Sequence, residues 1–301
     1  MFGTSDMKSG DLDLSGLKVG SIINTSSGGC DSESEAEMLD ILKDAGVTNY
    51  KTWCGESDQI DRAFAEASMH KPNVLVVLGG DGTIRTAAHA CTGTDAYLLP
   101  LPGGTLNMLP RALYGDASWQ HALRTTLAAP LTKTLSGGRT GGELFFVAAI
   151  VGAPGLWMEA RESIRERDIV DAVEKSAVAF HAMFDTKIQY SISSEMSGET
   201  EILAVVCPVV SQEMSDSEQA FEAAAIDVQN AGKLLGLATA AAFGKWREDE
   251  NVTLAKTRHV IVKSNREIPL FVDGERVNVG RTAEISFIPD AVNVIVPERI
   301  T

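Results

Sequence analysis

Short runs rich in β-branched residues alternate with helical patterns from residue 18 to about residue 130. The strand-like runs YKTW and NVLVVLGG are followed by the helical patterns DQIDRAFAEA and IRTAAHAC. This alternation predicts a parallel sheet covered by helices. In such sheets a ligand binds beyond the carboxyl ends of the strands, and every glycine-rich loop of this half follows a strand. We therefore expect these loops to meet at one crevice.

The pattern changes after about residue 130. Strand-like runs joined by turns follow, among them ELFFVAAIV, EILAVVCPVV, HVIVKS, IPLFVDG and AEISFI. They predict an antiparallel, sandwich-like domain, interrupted by a helical stretch over roughly 156–184 and by the apolar stretch LLGLATAAAFGKW. We predict a mobile tail over residues 1–16, a doubly wound, Rossmann-like α/β domain over 17–130 and an antiparallel β domain over 131–289, with the segment 290–301 able to return to the first domain.

Composition restricts the classes of function. A chain of 301 residues is long enough for two domains with separate cores. The 41 acidic residues exceed the 26 basic ones and give a net charge of -15, which disfavours nucleic acid as a partner. The four cysteines lack C-x-x-C spacing and nearby histidine pairs, which disfavours zinc sites and disulfide scaffolds and favours a reducing cytoplasm. The sequence shows neither a run of roughly 18 apolar residues nor a secretory signal.

The strongest local signal is the sequence Gly79-Gly80-Asp81-Gly82-Thr83, which lies between an apolar strand and a helical pattern. Glycines let backbone N–H groups approach an anion closely, and the N-terminus of the following helix adds its dipole. This arrangement predicts a phosphate-binding loop. Two structural alternatives stay open: an ordinary turn after a strand, and a capping role in which Asp81 accepts the free N–H groups of the helix.

This motif resembles the catalytic domain of the diacylglycerol kinase family, which includes sphingosine, ceramide and bacterial lipid kinases, and it is also similar to the NAD kinases. Two further loops extend the resemblance. Ile23 to Gly29 resembles the family's N-P-x-S-G loop, with Thr25 at the proline position, and Pro102 to Asn107 resembles its P-x-G-T-x-N-D loop. Phe271 to Glu275 resembles the family's D-G-E turn, which NAD kinases do not share at this position. The resemblance therefore favours a lipid kinase.

The resemblance implies an ATP-dependent lipid kinase whose active site lies in the cleft between the two domains. Asp81 is expected to bind Mg²⁺ and to orient Mg·ATP, and Glu275, with Asp273, is the first candidate for the general base. The residues expected to bind the nucleotide are Asn24, Ser27, Gly28, Thr52, Gly79, Gly80, Gly82, Thr83, Gly103, Gly104, Thr105, Asn107, Arg161 and Arg165. Some of these have structural alternatives: Thr52 as an ordinary strand threonine, Asn107 as a helix cap, and the two arginines as an exposed helical pattern.

The chain also departs from the family pattern. The N-E-V sequence that follows GGDGT in the family is Arg85-Thr86-Ala87 here, and Met108 replaces an aspartate. The stretch that ends at Asp227 keeps little of the acidic cluster that holds a structural magnesium in some bacterial members. The G-F-D segment with which some sphingosine kinases hold the lipid is replaced by Val151 to Pro154. The acceptor is therefore left open among diacylglycerol, ceramide, a sphingoid base and another membrane alcohol.

We expect ATP and Mg²⁺ as cofactors, and a cytoplasmic protein that contacts the inner face of the membrane peripherally; a homodimer is left open. Because the chain is acidic, its attraction to anionic lipid is expected to be weak. Membrane binding is then expected to depend on apolar contact or on the lipid substrate itself. Leu234–Phe243 suits an interface or a buried helix, and Gly155–Met158 suits an acyl-chain groove or a core. Other functions that remain are an NAD or other small-molecule kinase, and a nucleotide-binding regulator without catalysis, which Thr86 and Met108 suggest.

Overall fold

The computed structural model describes residues 16–152, 187–192, 196–211, 219–227, 247 and 249–298. The chain divides into two compact units, the first formed by residues up to Ser136 together with those from Asp290 onward, and the second by Gly137–Pro289. The predicted tail up to residue 15, the predicted helix with Arg161 and Arg165, and the apolar segments Gly155–Met158 and Leu234–Phe243 lie outside the described residues.

The first unit is built on a parallel sheet. Its strands are β1 (Lys18–Asn24), β2 (Asn49–Gly55), β3 (Val74–Gly79) and β4 (Tyr97–Pro102). They lie in the order β2-β1-β3-β4, with Val19 opposite both Tyr50 and Val74. The end of the chain's last strand continues the sheet, since Asn293 pairs in parallel with Tyr97. This strand order confirms the predicted doubly wound fold. From β1 the chain first adds β2 on one side and then β3 and β4 on the other, so the topological switch point lies between β1 and β3.

Helices cover this sheet. They are α1 (Ser34–Asp44), α2 (Ile60–His70), α3 (Asp81–Cys91), α4 (Met108–Tyr114) and α5 (Trp119–Ala128). All six residues of β3 are buried, as expected of a strand covered on both faces. In α1, Met38, Ile41 and Leu42 follow the helical period and are buried. The α3 helix begins three residues before the predicted pattern IRTAAHAC, so Asp81 belongs to its first turn.

The second unit is antiparallel. Its strands are β5 (Pro130–Thr140), β6 (Glu143–Phe145), β7 (Ala148–Gly152), β8 (Ile188–Ser191), β9 (Ser197–Thr200), β10 (Ile202–Val206), β11 (Phe221–Ile226), β12 (Val252–Thr257), β13 (His259–Lys263), β14 (Leu270–Val272), β15 (Glu275–Val277) and β16 (Thr282–Pro297), of which the first residues of β5 and the last of β16 belong to the first unit. One sheet has the order β12-β11-β10-β7-β14-β15, and β16-β13-β8-β9 are paired in the other. One apolar core takes Val205 and Phe221 from the first of these sheets and Val260 and Ile285 from the second. The predicted sandwich-like domain is thereby confirmed.

The run ELFFVAAIV, predicted as one strand, forms two. The break between β6 and β7 falls at Phe146 and Val147, whose backbone N–H groups donate to the side chain of Asp273 at 2.7 and 2.9 Å. The Asp273 carboxylate, and not a carbonyl of a neighbouring strand, accepts these N–H groups. The ladder of backbone hydrogen bonds between strands therefore stops at Phe146 and Val147. The apolar pattern alone does not reveal this break, because Phe146 and Val147 are as buried as the strand residues around them.

Candidate active site

Three loops meet at the carboxyl edge of the parallel sheet. Loop 1 (Asn24–Cys30) follows β1, loop 2 (Gly79–Thr83) includes the end of β3, and loop 3 (Pro102–Asn107) includes the end of β4. The N–H group of Gly29 donates to the carbonyl of Gly103 at 2.8 Å, and the N–H group of Gly80 donates to Ser27 Oγ at 2.9 Å. Because β1 and β3 flank the point where the strand order reverses, the loops surround the usual ligand position of such a sheet.

Asp81 joins loop 2 to loop 3. Its Oδ2 accepts the N–H group of Asn107 at 3.0 Å and its Oδ1 that of Met108 at 2.6 Å. The carboxylate therefore caps α4, whereas the N-cap residue of its own helix, Gly80, makes no side-chain cap. The sequence analysis left open that Asp81 caps its own helix, α3; its carboxylate instead caps the next helix, α4. Burial raises the pKa of Asp81, although the two N–H donors and the charge of Arg111 oppose this shift.

A buried amide–hydroxyl pair joins loop 1 to loop 2. Asn24 Nδ2 donates to Thr83 Oγ1 at 2.9 Å, and both residues are less than a tenth exposed. Asn24 Oδ1 accepts the N–H group of Ser26 at 3.1 Å and the hydroxyl of Ser57 at 3.4 Å. These contacts favour a structural role in which Asn24 and Thr83 fix the shape of the loops. No sequence signal indicated Ser57, which follows β2.

Loop 3 lies against loop 2 at the closest distance that glycine allows. A Cβ atom on Gly104 would be 2.7 Å from Gly80 Cα, so a larger residue would push the two loops apart. Asn107 holds the turn, since its Oδ1 accepts the Gly104 N–H group at 2.7 Å and its Nδ2 donates to the Gly104 carbonyl at 2.9 Å. Its φ of 51° is left-handed, a conformation that asparagine tolerates. Thr105, by contrast, is exposed at the tip of the loop.

The remaining glycines predicted to bind nucleotide differ in how much space surrounds them. Gly28 is open, because a Cβ atom there would have no heavy atom within 4 Å. At Gly79 and Gly103 the same atom would lie 2.7 Å from the Thr83 side chain and 2.8 Å from the Gly79 nitrogen. Gly82 lies in the first turn of α3, where its carbonyl accepts the Thr86 hydroxyl at 3.0 Å. Gly28 therefore offers the open backbone, while Gly79 and Gly103 are packing positions.

Thr52 carries a hydroxyl suited to a ligand. Its Oγ1 is buried and has no hydrogen-bond partner, a condition that is unfavourable unless a bound group supplies one. Thr52 lines a groove of about 550 Å³ at the end of β2. The other residues that line it are Glu35, Trp53, Cys54, Gln59, Arg62, Ala63 and Glu66. Apart from Thr52, none of these residues was predicted from the sequence.

Asp81, between loops 2 and 3, is a carboxylate suited to a phosphate-bound magnesium ion. Mg²⁺ in kinases is typically held by one or two carboxylates together with substrate phosphates. Among the described residues, no group of three or more His, Cys, Asp or Glu residues could hold a metal ion. Asp81 lies at the junction of two loops. It is therefore better suited to bind Mg²⁺ together with a nucleotide than to form a metal site from protein ligands alone.

The D-G-E turn separates its two carboxylates. Asp273 is buried, and it accepts the N–H groups of Phe146, Val147 and Ala148 at 2.7, 2.9 and 2.9 Å. Asp273 and Gly274 both have positive φ and form the tight turn between β14 and β15, as the sequence predicted for Asp-Gly. Glu275 is exposed. The geometry thus favours a structural role for Asp273 in place of the predicted catalytic one, and leaves Glu275 as the candidate base.

Glu222, in the stretch that ends at Asp227, forms a buried ion pair with Arg247. Arg247 Nε lies 2.5 Å from Glu222 Oε1, and its second guanidinium nitrogen lies 3.0 Å from Oε2. Ser211 also donates to this carboxylate, at 2.5 Å. A guanidinium therefore neutralises the buried Glu222. The sequence did not suggest this pair, because Arg247 is distant along the chain.

Comparison with known sequences finds a family model that matches the part of the chain containing the three loops. The model of the diacylglycerol kinase catalytic domain matches residues 18–137, which contain loops 1, 2 and 3 and Thr52. This match supports a kinase that acts on a lipid or another small molecule, and a kinase requires a nucleotide as phosphoryl donor.

Solved structures resemble the chain beyond residues 18–137. A diacylglycerol kinase from Bacillus anthracis str. Sterne superposes with a TM-score of 0.69 at 14% identity, over 95% of this chain and 99% of that chain. Two further structures from the same organism, also 14% identical and with the same coverage, give TM-scores of 0.73 and 0.71. At this identity the likeness shows the fold, which extends over both units. No helix among the described residues is long and apolar enough to cross a membrane.

Proposed function

We propose that this chain transfers the γ-phosphoryl group of ATP to the hydroxyl group of a membrane lipid. The observation that carries the proposal is the position of Asp81, whose carboxylate is held between loops 2 and 3 by two backbone N–H groups. Phosphoryl transfer requires positioning and stabilisation of charge rather than covalent chemistry by the protein. A fixed carboxylate beside glycine-rich loops meets that requirement.

The nucleotide is assigned to the first unit. We place its base in the groove lined by Thr52, where the hydroxyl without a partner gains one. The phosphates are assigned to the open backbone at Gly28, the exposed hydroxyl of Thr105 and the N-terminus of α3, whose dipole favours an anion. Mg²⁺, held by Asp81 together with the phosphates, would offset the negative charge of the transferring group. Arg161 and Arg165 remain further candidates for phosphate contacts.

The acceptor loses a proton as its oxygen forms the new bond to phosphorus. The bond between the γ-phosphorus and the bridging oxygen breaks, and ADP leaves with that oxygen. We assign the proton to Glu275, because it is exposed while Asp273 is engaged by three backbone N–H groups. The D-G-E turn lies in the second unit, the sandwich, and the chain of the structural relative named a diacylglycerol kinase also spans both units.

The acceptor is proposed to be diacylglycerol, ceramide or a sphingoid base, reached by a cytoplasmic protein at the inner face of the membrane. The test offers radiolabelled ATP and Mg²⁺ with each lipid in neutral mixed micelles, and in parallel with NAD and simple sugars in solution. We expect label in at least one lipid. Label confined to the soluble acceptors would assign the chain to another class of kinase, and nucleotide binding without any transfer would favour a regulatory protein.

A further inference from the structure

Four basic side chains line one groove in the second unit. They are Lys187, Lys263, Arg266 and Arg281, and the groove has a volume of about 640 Å³. The remaining lining residues are Gln189, Glu199, Ser264, Asn265 and Thr282, so Glu199 is the only acidic residue among them. We call this set the cationic groove. Its charge is opposite to that of the chain as a whole, which carries a net charge of -15.

Strand register brings the groove together. Lys263 lies opposite Gln189 on β8 and opposite Thr282 on β16, so these three residues share the exposed face of the sheet. The preceding residue, Val262, points the other way into the core. The Ser264 N–H group donates to the Arg281 carbonyl at 3.0 Å, which holds the turn that carries Arg266 beside Arg281. The groove is thus anchored to the sandwich.

The charges in the groove are weakly compensated. Lys187 Nζ lies 4.0 Å from Glu201, at the limit of an ion pair. Within the described part of the chain, Lys263, Arg266 and Arg281 form no side-chain ion pair. The one lining carboxylate, Glu199, accepts a hydrogen bond from Gln189 at 3.3 Å. Neighbouring cations without counter-ions raise the local positive potential and attract an anion.

We infer that the cationic groove docks the protein on the membrane by binding the phosphate group of an anionic phospholipid. Guanidinium and ammonium groups together are well suited to a phosphate, which accepts several charge-assisted hydrogen bonds. A long polyanion such as nucleic acid is disfavoured, since the rest of the acidic surface would repel it. This inference rests on the proposed function, because a lipid kinase must reach an acceptor that lies in a bilayer. Composition led us to expect only weak attraction to anionic lipid; the inference replaces this with local attraction at the cationic groove.

The test measures sedimentation of the full chain with vesicles, in the absence of ATP. One set of vesicles is pure phosphatidylcholine and the other contains phosphatidylglycerol. We expect the protein to bind the second set at low salt and to be released as salt screens the charges. Lys263→Glu together with Arg266→Glu should weaken this binding by at least about tenfold, because each basic residue contributes severalfold at an anionic surface. The matched control is Lys43→Glu together with Lys256→Glu, which changes the charge equally outside the groove and should bind more tightly than the groove variant.

Kinase activity in neutral mixed micelles is measured separately and tests the proposed function alone. Lys263 and Arg266 are exposed, so circular dichroism should show the variant folded, and its micelle activity should match that of the wild type. Equal vesicle binding by the groove variant and the charge-matched control, or no preference of the wild type for anionic vesicles, would overturn the inference. Release of the vesicles by millimolar inorganic phosphate but not by sodium chloride of equal ionic strength, or tighter binding to an oligonucleotide, would overturn the membrane as the source of the phosphate.

Discussion

The Asp81 carboxylate accepts the backbone N–H group of Met108 at 2.6 Å. Met108 is the first residue of α4, so the residue proposed to meet the metal and the phosphates also caps a helix. Asn107 donates to the same carboxylate, and Asn107 in turn holds Gly104 in loop 3. A change at Asp81 is therefore expected to alter stability as well as catalysis, and the two effects require separate measurements.

Asp81→Asn is expected to abolish transfer while the chain still folds. The amide keeps one acceptor oxygen for two N–H groups, which should lower the free energy of unfolding by about 1–2 kcal/mol. The loss of charge beside the phosphates should lower kcat by at least about a hundredfold. Urea unfolding and the micelle assay measure the two effects. The control is Asp116→Asn, an exposed aspartate paired with Arg111, which should change both only slightly. Activity within a few-fold of wild type would remove Asp81 from the mechanism.

The raised pKa of Asp81 predicts how stability depends on pH. Burial raises its pKa in the folded state above that of the unfolded chain. Its contribution is therefore fully present below the unfolded pKa, about 3.9, and is lost as pH rises through the folded pKa. The unfolding free energy of the wild type minus that of Asp81→Asn should increase as the pH is lowered from 7 towards 4. Urea unfolding at several pH values measures this difference. A decrease on acidification would mean that the N–H donors outweigh burial.

Thr52→Val is expected to separate ligand binding from folding. The substitution removes a buried hydroxyl that has no partner, so the free energy of unfolding without ligand should stay the same or rise by up to about 1 kcal/mol. Affinity for ATP should fall by about 1 kcal/mol if the nucleotide supplies the missing partner. The control is Thr126→Val in α5, since Thr126 is also buried without a partner but lies outside the groove. Calorimetric titration with ATP that gives equal affinities for both variants would return Thr52 to an ordinary strand threonine.

The sequence predicted the elements of the fold because apolar periodicity reports which side of a strand or helix is buried. It located loops 1, 2 and 3, since glycines after strands have a local signature. It did not predict that Asp81 caps α4, because a cap between elements depends on how close two loops lie in space. The structural role that the geometry favours for Asp273 was not predicted, for a similar reason. Its N–H donors are more than a hundred residues away in sequence, and the motif alone does not show whether its carboxylate is buried.

The cationic groove was also missed, and for a different reason. Lys187, Lys263 and Arg281 are far apart in a chain with an acidic excess, so composition indicated repulsion from anions. They come together only through the register of β8, β13 and β16, which a sequence pattern does not determine. Net charge reports the field at long range, whereas docking depends on the arrangement of charges within a Debye length of about 10 Å.

The two carboxylates of the D-G-E turn are expected to respond in opposite ways. Asp273→Asn should lower the free energy of unfolding by about 2–3 kcal/mol, because a buried carboxylate loses charge-assisted hydrogen bonds to the backbone. Glu275→Gln should leave stability nearly unchanged and lower kcat by about a hundredfold or more. Thermal unfolding and the micelle assay on both variants decide between them. A stable, inactive Asp273→Asn together with a fully active Glu275→Gln would exchange the roles assigned here.

Free Mg²⁺ is expected to leave thermal stability unchanged, because Glu222, the buried carboxylate in the stretch that ends at Asp227, already has a cation. Arg247 and Ser211 occupy both oxygens of Glu222. Titration with MgCl₂ in the absence of ATP should therefore not raise the melting temperature, and a rise that saturates at low concentration would contradict this interpretation.

The ion pair itself supplies the sharper experiment. Arg247→Met leaves Glu222 buried without its charged partner and should cost about 3–5 kcal/mol, whereas Arg247→Met combined with Glu222→Gln should recover a large part of that loss. The recovery is the coupling measured by a double-mutant cycle. If Mg²⁺ raises the melting temperature of Arg247→Met but not that of the wild type or the double variant, the guanidinium occupies a position that a metal ion can fill. If Mg²⁺ stabilises all three proteins equally, the ion binds elsewhere and the expectation that free Mg²⁺ leaves stability unchanged fails.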